Sequence, residues 1–310
     1  MLISIDHGNK LTKTVHYTFV SGLVESETRP PFGNDILQYN RKYYSLSEKR
    51  IPYLRDKTVD ERFFDLTLIG IAKEIEYAGI RKTDDVIEVE LATGLPPAHY
   101  GAQYERFEAY FLRDNDLIEI MFHEQPYTIW IHKVMSFPQA YAAAMLVLNK
   151  IRSLQKVTIV DIGGFTMDYI QLKHGQPDLS VCDSLDYGII LLYNKIKSQV
   201  NASFNLLLDE SDIDAVLAGE NTGYAKNVIG VIHKEAQFFI DGLLDNLRER
   251  MIDLRSGKAI FVGGGSMILK SYIENSTRVY QPIFINEINA NAKGYEMLYK
   301  AYSSGRQWIE

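Results

Sequence analysis

Two stretches of this chain carry the same pattern and lie half a chain length apart. "LISIDHGNKLTKTVHY" begins at Leu2, and "TIVDIGGFTMDYIQL" begins at Thr158. Each reads as an apolar strand that ends on an acid, Asp6 or Asp161, followed by a glycine-containing turn and a second strand. Such an echo in a chain of 310 residues predicts two related lobes, 1–155 and 156–310. A third glycine turn, "KAIFVGGGSMIL" from Lys258, reads as a buried strand running into a helix.

Glycine lets a ligand approach the backbone because it has no Cβ and tolerates positive φ. Gly8 in the first turn and Gly163, Gly164 and the Thr166 hydroxyl in the second are therefore candidate phosphate contacts. Gly263, Gly264 and Gly265 sit at a strand-to-helix corner, which favours an anion or a closely packed ligand. Each turn also has a plain structural reading, as a hairpin turn or an acid bonding its own backbone. Three in this order are more specific than any one. Asp6 and Asp161 repel a polyphosphate unless a cation intervenes, and Mg²⁺ held through waters reconciles them. Lys13 adds a positive charge. No GxxxxGK[ST], no GxGxxG after a strand and no kinase catalytic-loop pattern is present, and the seven histidines lack metalloprotease spacing.

Composition narrows the class. At 46% hydrophobic and 24% charged, the chain can build real cores and is not disordered by composition. A net charge of −7 argues against direct binding to nucleic acid. The one cysteine, Cys182, fits a reducing cytoplasm. The N-terminal residues do not read as a signal peptide, and no run approaches the ~20 apolar residues of a membrane span, so no membrane partner is expected.

The periodicity predicts an α/β chain with mixed strands and hairpins. Strands are expected at 2–6, 14–24, 85–96 and 156–174, two more within 117–135, and a hairpin at 42–52. A helix is expected over 57–80, with Phe64, Leu68, Ile71 and Ile75 on one face, a capping box from Thr58 to Glu61 and a stop at Gly79. Further helices are expected at 105–112, at 136–152 with Pro138 in its first turn, at 187–200 and at 210–219. The last two are expected at 230–257, closed by Gly257, and at 289–302.

With these motifs in hand, the chain resembles the actin-like ATPases. "ISIDHGNKLTK" is similar to their first phosphate loop, "IVDIGGFTMD" to the second and "IFVGGGSMIL" to the adenosine motif. "FPQAYAAA" and "NANAKGYEML" fall where the two connecting helices lie. "YYSLSEKRIPYLRDKTVDERFFDLTLIGIAKEI" and "LATGLPPAHYG" are similar to the ParM/StbA plasmid-segregation group. The resemblance implies an actin-like, ribonuclease-H-like α/β fold with two lobes around a nucleotide cleft. ATP or ADP and Mg²⁺ are the implied cofactors. Asp6 and Asp161 would order a hydrated Mg²⁺, and Gly8, Asn9, Lys13, Gly163, Gly164 and Thr166 would hold phosphates. Gly188 would lie near the ribose, and Gly263, Gly264, Gly265 and Ser266 under the adenine. Two positions depart from the pattern. His7 stands where relatives often carry a small or acidic residue. Gln139 stands where some carry Glu, and it would orient the attacking water instead of taking its proton.

The function implied is ATP hydrolysis coupled to a filament of the chain with itself, separating DNA through a DNA-bound adaptor in the cytoplasm. A small-molecule kinase on the same fold, which would need a base facing its acceptor, and a non-hydrolysing nucleotide-dependent scaffold are the alternatives. A chain ending soon after the second connecting helix is also expected to lack a chaperone's peptide-binding domain.

Overall fold

The computed structural model describes residues 1–33, 35–80 and 85–305. It divides into two units, Met1–Leu146 together with the segment from Asn289, and Val147–Ile288.

The first unit opens with seven short strands: β1 (Leu2–Ser4), β2 (Asp6–His7), β3 (Leu11–Lys13), β4 (Thr18–Val20), β5 (Leu23–Ser26), β6 (Ile36–Tyr39) and β7 (Lys42–Leu46). Helix α1 (Arg62–Tyr77), β8 (Val86–Leu95), α2 (Pro97–Leu112), β9 (Leu117–Phe122), β10 (Gln125–Pro138) and α3 (Tyr141–Ala144) follow. Seven strands form one sheet in the order β1-β8-β10-β9-β6-β7-β5, and β2, β3 and β4 form a small sheet of their own. Both β1 and β10 run parallel to β8. The alternation of "LIEIMF" in β9 puts Ile118, Ile120 and Phe122 inward and leaves Leu117 and Met121 exposed, as a half-buried strand requires. The core gathers Phe63, Phe64, Leu68, Ile71 and Ile75 of α1, Phe107 and Phe111 of α2, and the inward residues of the sheet.

The expected helix over 57–80 is divided. Asp56 accepts the Thr58 N–H at 3.0 Å and caps a single 3₁₀ turn, Lys57–Val59. Asp60 is then extended, so α1 starts afresh after Glu61 and the Thr58–Glu61 capping box does not form. Gly79 ends α1 at φ +76°, as a left-handed cap does. Helix α2 starts at Pro97, about two turns before the apolar pattern becomes visible at 105, with proline tolerated in its first turn. The expected helix over 136–152 is also absent as one piece. Pro138 is the last residue of β10, and α3 spans four residues before a 3₁₀ turn.

The second unit holds α4 (Leu148–Ile151), β11 (Lys156–Ile162), β12 (Met167–Lys173), β13 (Gln176–Leu185), α5 (Ile189–Phe204), α6 (Glu210–Leu217), α7 (Lys226–Glu249), β14 (Lys258–Val262), α8 (Gly264–Ile268), α9 (Lys270–Glu274) and β15 (Ile283–Phe284). Its five strands lie in the order β13-β12-β11-β14-β15. Strand β13 was not anticipated; His174 and Gly175, both at positive φ, make the two-residue turn that adds it. Asp209 and Asp212 cap α6 reciprocally. Helix α7 ends at Glu249 and not at Gly257. Met251 takes the left-handed cap at φ +61°, and the Ile252 N–H bonds back to the Leu247 carbonyl. The apolar faces of α5, α6 and α7 close over the sheet around Tyr193, Ile232, Ile240 and Phe261.

Helix α10 (Ala290–Ser303) returns to the first unit and packs on α3, β1 and β8. The expected division at 155/156 counts it with the second lobe by sequence, as a connecting helix that returns towards the first. Here the chain leaves the first unit after Leu146 and re-enters it at Asn289. The contact with α3 is backbone to backbone, because a Cβ on Gly294 would run into the Ala142 carbonyl. Gly294→Ala therefore forces two helices apart and is expected to cost about 3 kcal/mol, read as a lower urea midpoint.

His7 sits beside the first turn as a fully buried ring stacked on Phe111, with centroids 4.7 Å apart. Nδ1 lies 3.0 Å from the Thr93 hydroxyl and Nε2 2.7 Å from the Thr67 hydroxyl, which ties β2 to β8 and α1. Burial, and then the Lys57 charge, hold its pKa down to about 3. The Thr67 hydroxyl also donates to the Phe63 carbonyl at 2.7 Å and the Thr93 hydroxyl to the Ile5 carbonyl at 3.0 Å, so the neutral ring donates to one threonine and competes with a carbonyl for the other's proton. The unfolded chain takes up this proton below pH ~6.5 while the folded chain refuses it. Stability from His7 is thus present above that pH and lost as pH falls towards 3. Asp65 in α1 acts in the opposite sense. Burial, then Glu61, raise its carboxyl to about 7, so its penalty is complete above that pH and fades as pH falls. From pH 7 to pH 5, wild type should lose about 2 kcal/mol relative to His7→Gln in urea titrations. Asp65→Asn should raise the melting temperature at pH 8 and much less at pH 4.

Candidate functional site

The residues singled out in the sequence fall into two groups, one in each unit. In the first, Asp6 of β2 stands directly across from Lys13 of β3 in the antiparallel register. That pairing brings Lys13 Nζ to 3.1 Å from Asp6 Oδ2. The other carboxylate oxygen, Oδ1, accepts from Gln139 Nε2 at 2.9 Å. Asp6 is 2% exposed and Gln139 9%. A buried carboxylate with a charged and a neutral donor has both of its oxygens engaged and is held in position.

Gly8 and Asn9 form the turn between β2 and β3. The Gly8 carbonyl accepts from Ser21 Oγ at 2.5 Å, and a Cβ on Gly8 would strike the Leu11 carbonyl. Asn9 Oδ1 accepts the Leu54 N–H at 3.3 Å. The Asn9 oxygen thus anchors the following loop, while its carboxamide nitrogen is the end with donor capacity for an anion. The main chain places Gln139 through its own N–H, which donates to the Leu95 carbonyl at 2.8 Å.

The second group is built at the ends of β11 and β14, which run parallel with Asp161 opposite Val262. After Ile162 the chain turns through 163–166, where the Gly163 N–H donates to the Thr166 carbonyl at 2.9 Å. The carbonyls of this turn meet the start of α5. Gly188 N–H donates to Phe165 O at 3.0 Å, Ile189 to Gly163 O at 3.0 Å and Ile190 to Gly164 O at 2.9 Å. In a trans peptide, C=O and the next N–H point opposite ways. With three successive carbonyls turned to α5, the N–H groups of Gly164, Phe165 and Thr166 point away from it, as an anion-binding turn requires. Gly188 is needed for the approach, because a Cβ there would overlap the Gly164 and Phe165 backbone.

Gly263 takes φ +88°, and a Cβ on it would strike the Asp161 carboxylate. Gly265 packs equally tightly on Ile162, while Gly264 has open space around its Cβ position. Ser266 is fully buried and donates its hydroxyl to the Val262 carbonyl at 2.5 Å. Its role in this structure is to hold the start of α8, with Gly264 the open edge of the corner.

Sequence reasoning missed Asp168. It lies directly opposite Asp161 in the β11–β12 ladder, so both side chains share one face. They are 4% and 6% exposed. Two carboxylates so placed repel, and a proton or a cation relieves them. The signal was available: an acid seven residues after Asp161 across a four-residue turn returns to the same face. Among the described residues no three His, Cys, Asp or Glu side chains form a metal cage by themselves. The paired Asp161 and Asp168 carboxylates are hard oxygen donors of the kind that a hydrated Mg²⁺ takes.

The profile of the C-terminal part of archaeal MreB-like actin homologues matches residues 159–275. No curated protein matches the sequence. Among solved structures, an archaeal actin homologue aligns with a TM-score of 0.74 at 16% identity, covering 97% of this chain and 99% of that one. The apo ParM protein of pSK41 aligns at 0.71 with 17% identity, over 99% and 98% of the two chains. A ParM from Clostridium botulinum, solved as a 15-stranded filament, aligns at 0.73 with 17% identity, over 96% and 98%. Over nearly its whole length, then, this chain has the actin-like fold shared by archaeal actin homologues and ParM proteins.

Proposed function

We propose that the chain binds Mg-ATP, hydrolyses it and assembles with copies of itself into a filament in the cytoplasm. We further propose that this filament separates DNA through a DNA-bound adaptor. The observation that carries the reading is the Asp6–Gln139 hydrogen bond. Through Nε2, Gln139 donates to the buried acid at 2.9 Å. The same carboxamide has an acceptor oxygen that can take a water's proton in a hydrogen bond. An amide so placed orients a nucleophilic water and does not deprotonate an alcohol, which favours hydrolysis over phosphoryl transfer to a small molecule.

In the first unit Asp6, and in the second Asp161 and Asp168, are the carboxylates suited to a hydrated Mg²⁺, which when bound would neutralise charge on the phosphates. In the first unit Lys13 would add a positive charge towards the phosphates, and in the second the 164–166 N–H groups would supply fixed dipoles. Catalysis of this type is positioning and electrostatics. One archaeal actin homologue of this fold, at 16% identity, has been solved in complex with ADP. The Clostridium botulinum ParM and Alp12 were solved as filaments, which supports self-assembly here. The net charge of −7 suits attachment to DNA through another protein. Among the described residues no helix is long and apolar enough to cross a membrane.

Light scattering at 90° with Mg-ATP, with phosphate release followed in the same sample, tests the whole reading. Scattering should rise above a critical concentration and decay as phosphate appears. Asp161→Ala should abolish release. Gln139→Ala should lower kcat about 100-fold with nucleotide affinity little changed. Phosphate transfer to sugars or pantothenate, or unchanged turnover in Asp161→Ala, would overturn it.

A further inference from the structure

The geometry points to Asn291 as a positioning residue for Gln139, acting through the peptide at Ala140; this inference rests on the ATPase reading. The sequence "SFPQAYAAA" favours a helix that starts at Pro138. Instead β10 continues through Pro138, paired with Leu95 of β8. The chain then reverses in a single residue. Ala140 has φ +60° and ψ −53°, and the Tyr141 N–H donates to the Gln139 carbonyl at 2.6 Å. This is a γ-turn of the rare, strained kind, in a region that a residue with a Cβ seldom enters. Ala140 is fully buried, so the strain is held by packing and not by chance at a surface.

A γ-turn engages the carbonyl before it and the N–H after it, and leaves the central N–H to find a partner elsewhere. At Ala140 that partner is Asn291 Oδ1, at 3.1 Å. Asn291 stands in the first turn of α10 and is 6% exposed. One turn further on, Gly294 lets α10 approach the Ala142 carbonyl, which fixes the distance from which Asn291 reaches Ala140. The alternative to the γ-turn is the helical start that the sequence favours. There the Ala140 N–H turns away from Asn291, and the Gln139 side chain leaves Asp6 Oδ1. Asn291 therefore selects the strained conformer, and the strained conformer aims Gln139.

The test uses the full chain. Wild type, Asn291→Ala, Asn291→Asp, Ala140→Gly and the double variant Asn291→Ala with Ala140→Gly are compared for kcat, binding of a fluorescent ATP analogue and melting. Asn291→Ala is expected to lower kcat at least about tenfold, with affinity for the analogue within about twofold of wild type. Ala140→Gly in that background should restore part of the loss, because glycine enters positive φ without the asparagine. A merely structural role in docking α10 would not be rescued this way. Should Asn291→Ala fail to melt cooperatively, Asn291→Asp carries the test. It keeps the acceptor oxygen and should hold kcat within about threefold of wild type. Hydrogen exchange of the Ala140 amide gives a readout independent of turnover, expected to be about tenfold faster in Asn291→Ala. Wild type that binds the analogue without releasing phosphate overturns the ATPase reading alone. Unchanged Ala140 exchange, or equal loss of affinity and kcat with no rescue by glycine, overturns the assignment of Asn291.

Discussion

The Asp6 carboxylate and its two donors set the terms for the first unit. A carboxyl group at 2% exposure is tolerable only if both oxygens are engaged. Lys13 engages one because β2 and β3 pair with Asp6 opposite Lys13. A slip of one residue in that short ladder would put the lysine on the other face. Gln139 engages the other oxygen only because β10 ends where it does and the chain turns sharply at Ala140. The small sheet, the end of the large sheet and the first turn of α10 thus all bear on one carboxylate.

The second unit solves a similar problem by a different route. Around Asp161 the constraint is space. Gly263, Gly265 and Gly188 are each held where a Cβ would overlap a neighbour, and two of the three overlaps involve Asp161 or Ile162. The 163–166 turn gives its carbonyls to the N-terminus of α5, which satisfies that helix's first donors. The same choice fixes the direction of the N–H groups on the other side of each peptide. Helix capping and the outward aim of these N–H groups are therefore two faces of one set of planar peptides.

The turn at Asp161, Gly163 and Gly164 and the corner at Gly263 were legible in the sequence because strand, acid and glycine follow one another in a pattern with a reason. Gly188 stood out only through the resemblance to actin-like ATPases. Where the sequence misled, a side chain took a conformation its type seldom adopts. Met251 caps α7 at positive φ, so the helix stops eight residues before Gly257 could stop it. Ala140 breaks a proline–alanine segment that every helix rule favours. Asp168 was passed over because its spacing from Asp161 gains meaning only once the two strands are paired across the four-residue turn. The long helix expected from Lys57 failed at Asp60, whose extended backbone answers to packing around the Tyr110 hydroxyl, which donates to its carbonyl at 2.9 Å.

The nature of residue 139 follows from its neighbour. A glutamate in the same place would bring a second carboxylate to hydrogen-bond distance of Asp6, in a site nearly closed to solvent. Two acids that close do not both ionise, so one of them keeps a proton. If that one is residue 139, it has lost the basicity for which a carboxylate would be chosen. If it is Asp6, the pairing with Lys13 weakens. The carboxamide avoids the conflict, since it donates to Asp6 from nitrogen and still presents an acceptor. Given a buried Asp6 paired with Lys13, a glutamine is the side chain that can hold the acid through its nitrogen and still keep an acceptor oxygen for a further hydrogen bond.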